Sequence, residues 1–144
     1  ICGKLNIKFI EENIQKSPNY HLYPFLNAEQ LKDAFALADL IVNRAGAGSI
    51  FEIAALGKPS ILIPIPDSAS DHQRQNAYEF SDNNQRAIVI EQENLTPNIF
   101  LEEISKLITN PAKLSALSPK AKSFYNPNTA ELIRDEILNL ATKI

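Results

Sequence analysis

Two apolar runs constrain this chain more than any other feature. "DLIVN" (residues 39–43) and "PSILIPIP" (residues 59–66) are continuous in their apolar core rather than alternating. A strand with one wet face alternates apolar and polar residues. A run that does not alternate is buried on both faces, which is the habit of parallel sheets covered by helices. Between the two runs, Ser49 to Leu56 has helical spacing and stops at Gly57. "QRAIVIE" is a third strand of the same kind, and short strands are expected at Ile1–Cys2 and around His21–Tyr23. Helices are predicted over residues 4–16 and 28–38, the latter capped by Asn27, and over 71–81 with Ala77 and Phe80 inward. Three more follow at 97–108, about 111–123 and 128–143, each set off near a proline, the last with Leu132, Ile133, Ile137, Leu140 and Ala141 as an apolar face. Alternating strands and helices predict an α/β fold, a three-layer Rossmann-like parallel sheet. No linker rich in glycine or serine and no repeat divides the chain, so residues 1–144 are expected to form one domain.

Composition narrows the function classes. The 44% apolar content supports a core, and a net charge of -3 with scattered basic residues gives no concentrated positive field. No nucleic-acid partner is expected on that ground. A single cysteine, Cys2, excludes an intrachain disulfide and a cysteine-based zinc site and reads as a buried thiol. No apolar run approaches the roughly 18 residues of a membrane span. The opening "ICGK", without a methionine, reads as a piece of a longer protein.

In a parallel sheet ligands collect beyond the carboxyl ends of the strands. That edge should contain loops 24–27, 43–49, 64–72 and about 91–96. The second of these, "NRAGAGSIFE", spends two of the four glycines, Gly46 and Gly48, between a strand and a helix. Glycine there permits unusual backbone angles and lets a ligand reach backbone N–H groups. A diphosphate suits the unpaired donors of the helix start, although a tight turn needs glycine in proteins that bind nothing. Ser49 and Glu52 also have two readings. They fit the S-x-x-E capping box, in which each side chain satisfies a free backbone donor. Alternatively, Glu52 accepts hydrogen bonds from the vicinal hydroxyls of a ribose. Residue types alone leave both open.

"PIPDSASDHQRQNA" sets Asp67, Ser68, Ser70, Asp71, His72, Gln73, Arg74, Gln75 and Asn76 directly after a buried strand. This is either a solvated loop with Asp71 as helix cap, or a set of amides and an imidazole for sugar hydroxyls. His72 has no cysteine or histidine at ligand spacing, so no metal site is expected. His21, in a strand, reads as structural.

On "AFALADLIVNRAGAGSIFEIAALGKPSILIPIP" and "DHQRQNA", the chain resembles the C-terminal domain of the MurG family, bacterial UDP-GlcNAc transferases that complete the lipid-linked precursor of peptidoglycan. The likeness extends over nearly the whole chain. It implies the donor-binding C-terminal lobe of a two-lobe GT-B glycosyltransferase, here without the strand, glycine-rich loop and helix that open such lobes. It implies that Glu52 binds the ribose, that Ala47, Gly48 and Ser49 form the diphosphate turn, and that the backbone at Phe25 and Leu26 meets the uracil. Arg44 would order the turn or meet phosphate; His72 and Gln73, with Asn76 of the same motif, would contact phosphates and GlcNAc hydroxyls. The expected partners are a UDP-sugar and a missing N-terminal lobe that carries the lipid-linked acceptor and the catalytic base. The fragment alone would then have no turnover, and its uncovered surfaces would favour self-association. No cofactor and no core metal are expected, since there is no Asp-x-Asp and "DSASD" spaces its acids too widely. The implied location is cytoplasmic, with the parent peripheral on the cytoplasmic face of the inner membrane. A transferase of this fold using another UDP- or dTDP-sugar, and a non-catalytic nucleotide-sugar-binding subunit, are the alternatives.

Overall fold

The apolar runs do form the sheet. In the computed structural model, which describes residues 1–15, 17–66, 71–83 and 85–142, the chain divides into two compact units, Ile1–Leu37 and Ala38–Ile144.

The first unit holds α1 (Ile7–Asn13) and α2 (Ala28–Leu37). α2 starts as its sequence predicts. Asn27 Oδ1 accepts from the Gln30 N–H at 2.9 Å, and Gln30 Oε1 accepts from the Asn27 N–H at 3.0 Å. This reciprocal pair is a capping box with amides in both roles. α1 is shorter than the predicted 4–16 and buries no residue. The two strands expected here do not form. The Cys2 N–H donates to Tyr23 O at 3.0 Å, but one bond is not a ladder, and Ile1 and Tyr23 keep large exposed side chains. His21 is therefore an exposed residue outside any regular strand. Cys2 is half-buried, its thiol directed at Gly3 O and Tyr23 O.

The second unit carries β1 (Ile41–Asn43), α3 (Ala47–Leu56), β2 (Ser60–Leu62), α4 (His72–Ser81), β3 (Ile88–Val89), α5 (Pro97–Ile108), α6 (Pro111–Lys122) and α7 (Thr129–Ala141). The strands are parallel in the order β1-β2-β3, with Ile41 opposite Ser60 and Ile61 opposite Ile88. Bonds from Ile63 N–H to Asn43 O (2.8 Å) and from Ile90 N–H to Leu62 O (2.9 Å) carry the pairing beyond the regular strands. Side chains alternate across a sheet. Ile61 and Ile63 lie in a buried cluster with Ile90, Leu107 and Leu117, which places α5 and α6 on that face. Leu62 takes the other face, where α3 and α4 contribute buried Ile53, Ala54, Ala77 and Phe80. Phe124 closes this layer, its ring 5.2 Å from Phe80 and 5.8 Å from Phe51. Helices thus cover both faces of the described sheet.

Gly57 ends α3 in the left-handed region (φ 61), its N–H bonded back to Ala54 O. A Cβ there would meet Ser118 O at 3.1 Å, so this glycine serves the close approach of α6. α7 departs from expectation: its apolar residues are present, yet Leu132, Ile133, Ile137 and Leu140 are each more than half exposed, and the helix buries none.

Candidate functional site

Because β1 and β2 are parallel neighbours and each is followed by a helix, α3 and α4 both begin at the carboxyl edge of the sheet. The turn into α3 is built from Asn43 and Ala45. Ala45 is fully buried and left-handed (φ 60), a conformation that costs a residue with a Cβ about 1–2 kcal/mol. Both of its polar groups are held. Its N–H donates to Asn43 Oδ1 at 3.1 Å, and its carbonyl accepts from Asn76 Nδ2 at 3.4 Å.

The glycines therefore do something other than the sequence suggested. Gly46 is extended (φ -65, ψ 140), Gly48 is helical, and the unusual angle falls on Ala45. Among the described residues, a Cβ on Gly46 or Gly48 would meet no atom within 4 Å beyond its chain neighbours and its own helix. Neither glycine is required by backbone angle or by packing among the described residues. Their effect is to leave open space beside the backbone.

α3 also begins two residues earlier than predicted, which decides the capping question. Gly46 is the cap residue and supplies no side chain; the first intrahelical bond runs from Ile50 N–H to Gly46 O at 3.1 Å. Ser49 is then the third helical residue, and the Ser49–Glu52 capping box does not form. The N–H groups of Ala47, Gly48 and Ser49 precede the first intrahelical bond and, among the described residues, have no side-chain cap. Glu52 lies three and four residues beyond Ser49 and Gly48, on their face of the helix, and helical side chains lean toward the N-terminus. Among the described residues, Ser49, Glu52 and His72 make no side-chain hydrogen bond, and Glu52 and His72 are exposed.

α4 opens on Asp71, which is left-handed (φ 56) and gives no side-chain cap bond, so it occupies the cap position without the expected contact. His72 is the first residue of the helix. Gln73 turns its Oε1 back to accept from Ile65 N–H at 3.1 Å, tying α4 to the exit of β2. Asp67, Ser68 and Ser70 lie outside the described residues. Arg44 is exposed, and its Nη1 donates to Gln92 Oε1 at 2.7 Å. Arg44, Ala47, Gly48, Ser49, Glu52, His72, Gln73 and Asn76 are thus brought to one sheet edge, with Asn76 and Gln73 facing protein backbone rather than open space. Phe25 and Leu26 belong to the first unit, where Phe25 is exposed and Lys4 Nζ stands 5.7 Å from its ring centroid.

Tyr78, Glu91 and Gln92 escaped sequence reasoning, which singles out only Arg74 of this group. Glu91 Oε1 accepts from Arg74 Nε at 2.9 Å and from the Tyr78 hydroxyl at 2.6 Å. The hydrogen bond to Glu91 and burial push the Tyr78 hydroxyl above its ordinary value, and the charge of Glu91 raises Arg74. With Gln92, these side chains brace the loop after β3. The signal was two polar residues, "EQ", directly after an apolar strand.

The fold and this edge define the class: an α/β lobe of the kind that forms the C-terminal half of GT-B glycosyltransferases. The chain belongs to the family of the glycosyltransferase family 28 C-terminal domain, whose profile matches residues 1–133. It is 40% identical over 125 residues to the UDP-N-acetylglucosamine–N-acetylmuramyl-(pentapeptide) pyrophosphoryl-undecaprenol N-acetylglucosamine transferase of Acetivibrio thermocellus, covering 87% of this chain and 33% of that protein. The transferase of the same name from Porphyromonas gingivalis is 33% identical over 138 residues, 96% of this chain and 36% of its own length. The chain thus spans about a third of the curated relatives it matches. Among solved structures, MurG of Acinetobacter baumannii superimposes with a TM-score of 0.81 at 26% identity, over 96% of this chain and 41% of that one. The glycosyltransferase VinC in complex with dTDP gives 0.61 at 19% identity, over 88% of this chain and 31% of its own, a likeness of fold.

Proposed function

We propose that this chain is the donor-binding lobe of an inverting UDP-GlcNAc transferase whose whole protein adds GlcNAc to lipid-linked muramyl-pentapeptide in peptidoglycan synthesis. The observation that carries the reading is the start of α3: three backbone donors without a side-chain cap, beside two glycines that leave open space. Charge develops on the diphosphate as an acceptor hydroxyl attacks the anomeric carbon and UDP leaves. Fixed donors at a helix N-terminus stabilise that charge without having to reorganise. Ala47, Gly48 and Ser49 take the diphosphate, Arg44 supports it, and Glu52 accepts from the ribose hydroxyls. His72 serves phosphate or sugar, while Gln73 and Asn76 hold the loops that frame them. The backbone at Phe25 and Leu26 reads the uracil, an assignment resting on the family resemblance.

Both compact units belong to this one lobe; the span of the family profile, residues 1–133, supports that. The acceptor and the catalytic base belong to a second lobe, so this chain alone has no turnover. Among the described residues no helix is long and apolar enough to cross a membrane. The whole protein works as a peripheral enzyme on the cytoplasmic face of the inner membrane, where its product serves cell-wall growth, cell shape and division. The exposed apolar side chains of α7 support association with another protein surface: the acceptor lobe in the whole protein, a second copy for the isolated chain. Sedimentation over a concentration series should reveal dimers or larger species, and a monomer throughout would count against self-association. The donor assignment is tested by calorimetric titration with UDP, ADP and GDP in buffer free of divalent metal. UDP should bind tightest; equal affinities would remove the uracil assignment, and strict dependence on metal would remove the phosphate mode.

A further inference from the structure

Arg44 leaves β1, the first strand of the described sheet, and Gln92 leaves β3, the third, yet their side chains meet at 2.7 Å. Two strand spacings of about 4.8 Å separate those exits. The pair therefore reaches across the exit of β2. A long exposed arginine ordinarily samples many rotamers at an entropic cost when one is fixed. Here it is met by an acceptor whose backbone is itself anchored. Glu91, the residue before Gln92, receives hydrogen bonds from Arg74 and Tyr78, which lie four apart on α4 and so share one face. Ile90, one residue earlier, is bonded into the sheet through Leu62.

We propose that Gln92 is a positioning residue of the donor site, holding the Arg44 guanidinium over the β2 exit, with Glu91 fixing the turn from which Gln92 reaches. The inference rests on the donor-site reading for its consequence, since Arg44 flanks the turn assigned to the diphosphate. The Arg44–Gln92 contact itself exists without ligand. Gln92 uses one of the five donors of Arg44 and leaves the rest for an anion. Its carboxamide oxygen holds the guanidinium without neutralising it, as a carboxylate would.

The test uses the chain with Gln92→Ala, Gln92→Glu, Arg44→Ala and the double variant Arg44→Ala/Gln92→Ala. Nuclear magnetic relaxation of the Arg44 Nε–H, without ligand, reads the contact directly. The group should be ordered in the parent and in Gln92→Glu, which keeps an acceptor oxygen, and mobile in Gln92→Ala. Equal mobility in the parent and Gln92→Ala overturns the proposal, whether or not UDP binds. Titration with UDP reads the consequence. Gln92→Ala should weaken UDP on the order of threefold to tenfold, the worth of one hydrogen bond. Uridine, which has no phosphate, should bind Gln92→Ala as it binds the parent. In the Arg44→Ala background, Gln92→Ala should cost nothing further. Additive losses, or equal losses for UDP and uridine with a lower melting temperature, would make Gln92 a structural residue only. Failure of the parent chain to bind UDP would instead remove the donor-site reading, with the relaxation result still deciding the contact.

Discussion

α3 and α5 begin in opposite ways. α5 starts with Thr96, whose hydroxyl accepts from Ile99 N–H at 3.2 Å, and with Pro97, which has no N–H to satisfy. α6 repeats the device with Asn110 and Pro111. These helices spend their first turns on themselves. α3 starts on a glycine that cannot cap, followed by a second exposed glycine. The uncapped starts of α1, α4 and α7 have asparagine or aspartate at the cap, so they do not share this pairing of glycines with open space. Uncapped donors and helix-weakening glycine both lower stability. Where the protein gains nothing internal from them, a ligand is the natural beneficiary.

Paired substitutions sharpen the contrast. Among the described residues Gly48→Ala meets no atom beyond its own helix, so the fold should stay intact and gain up to about 0.5–1 kcal/mol from reduced backbone entropy. The added methyl fills the space assigned to phosphate, and UDP affinity should fall by more than about tenfold. Thr96→Ala should do the reverse, costing about 0.5–2 kcal/mol of stability and leaving UDP binding as it was. Chemical denaturation and calorimetry on both variants check the opposite signs. If Gly48→Ala binds UDP normally, α3 is merely a poorly capped helix.

A smaller effect concerns the brace behind the site. Tyr78 ionises above its ordinary 10.0 chiefly because its hydroxyl donates to Glu91. A folded value above the unfolded one means that this contribution to stability is present below about pH 10 and is lost as pH rises through the folded value. Glu91→Ala should bring the Tyr78 titration back down, followed by tyrosinate absorbance with Tyr78→Phe identifying the signal. An unmoved titration would mean that Glu91 does not hold α4.

The sheet was legible because its cause is local. Continuous apolar runs, Gly57 as a stop and Pro97 and Pro111 as starts each carry their meaning within a few residues. The location of the candidate site followed from the same signals. The start of α3 was not legible, because S-x-x-E reads the same whether Ser49 caps the helix or stands on its third residue. Only backbone angles distinguish the two, and the strained one fell on Ala45 rather than on a glycine. The Arg44–Gln92 contact spans 48 residues, and no local pattern pairs them. In the first unit, Ile1–Cys2 and His21–Tyr23 have strand-like composition, but one hydrogen bond does not make a sheet.

Glu52 decides whether the start of α3 is reserved for a nucleotide-sugar. It has no hydrogen-bond partner among the described residues and no capping role. Glu52→Gln keeps the shape and one acceptor while removing the charge that strengthens bonds from ribose hydroxyls. Titrating the parent and the variant with UDP and with 2′,3′-dideoxy-UDP, alongside thermal melts, separates the possibilities. A ribose-binding role for Glu52 predicts that UDP weakens on the order of tenfold, that the dideoxy analogue binds both proteins alike, and that the melting temperature does not move. Equal losses for the two ligands, or unchanged binding with a lower melting temperature, would contradict it.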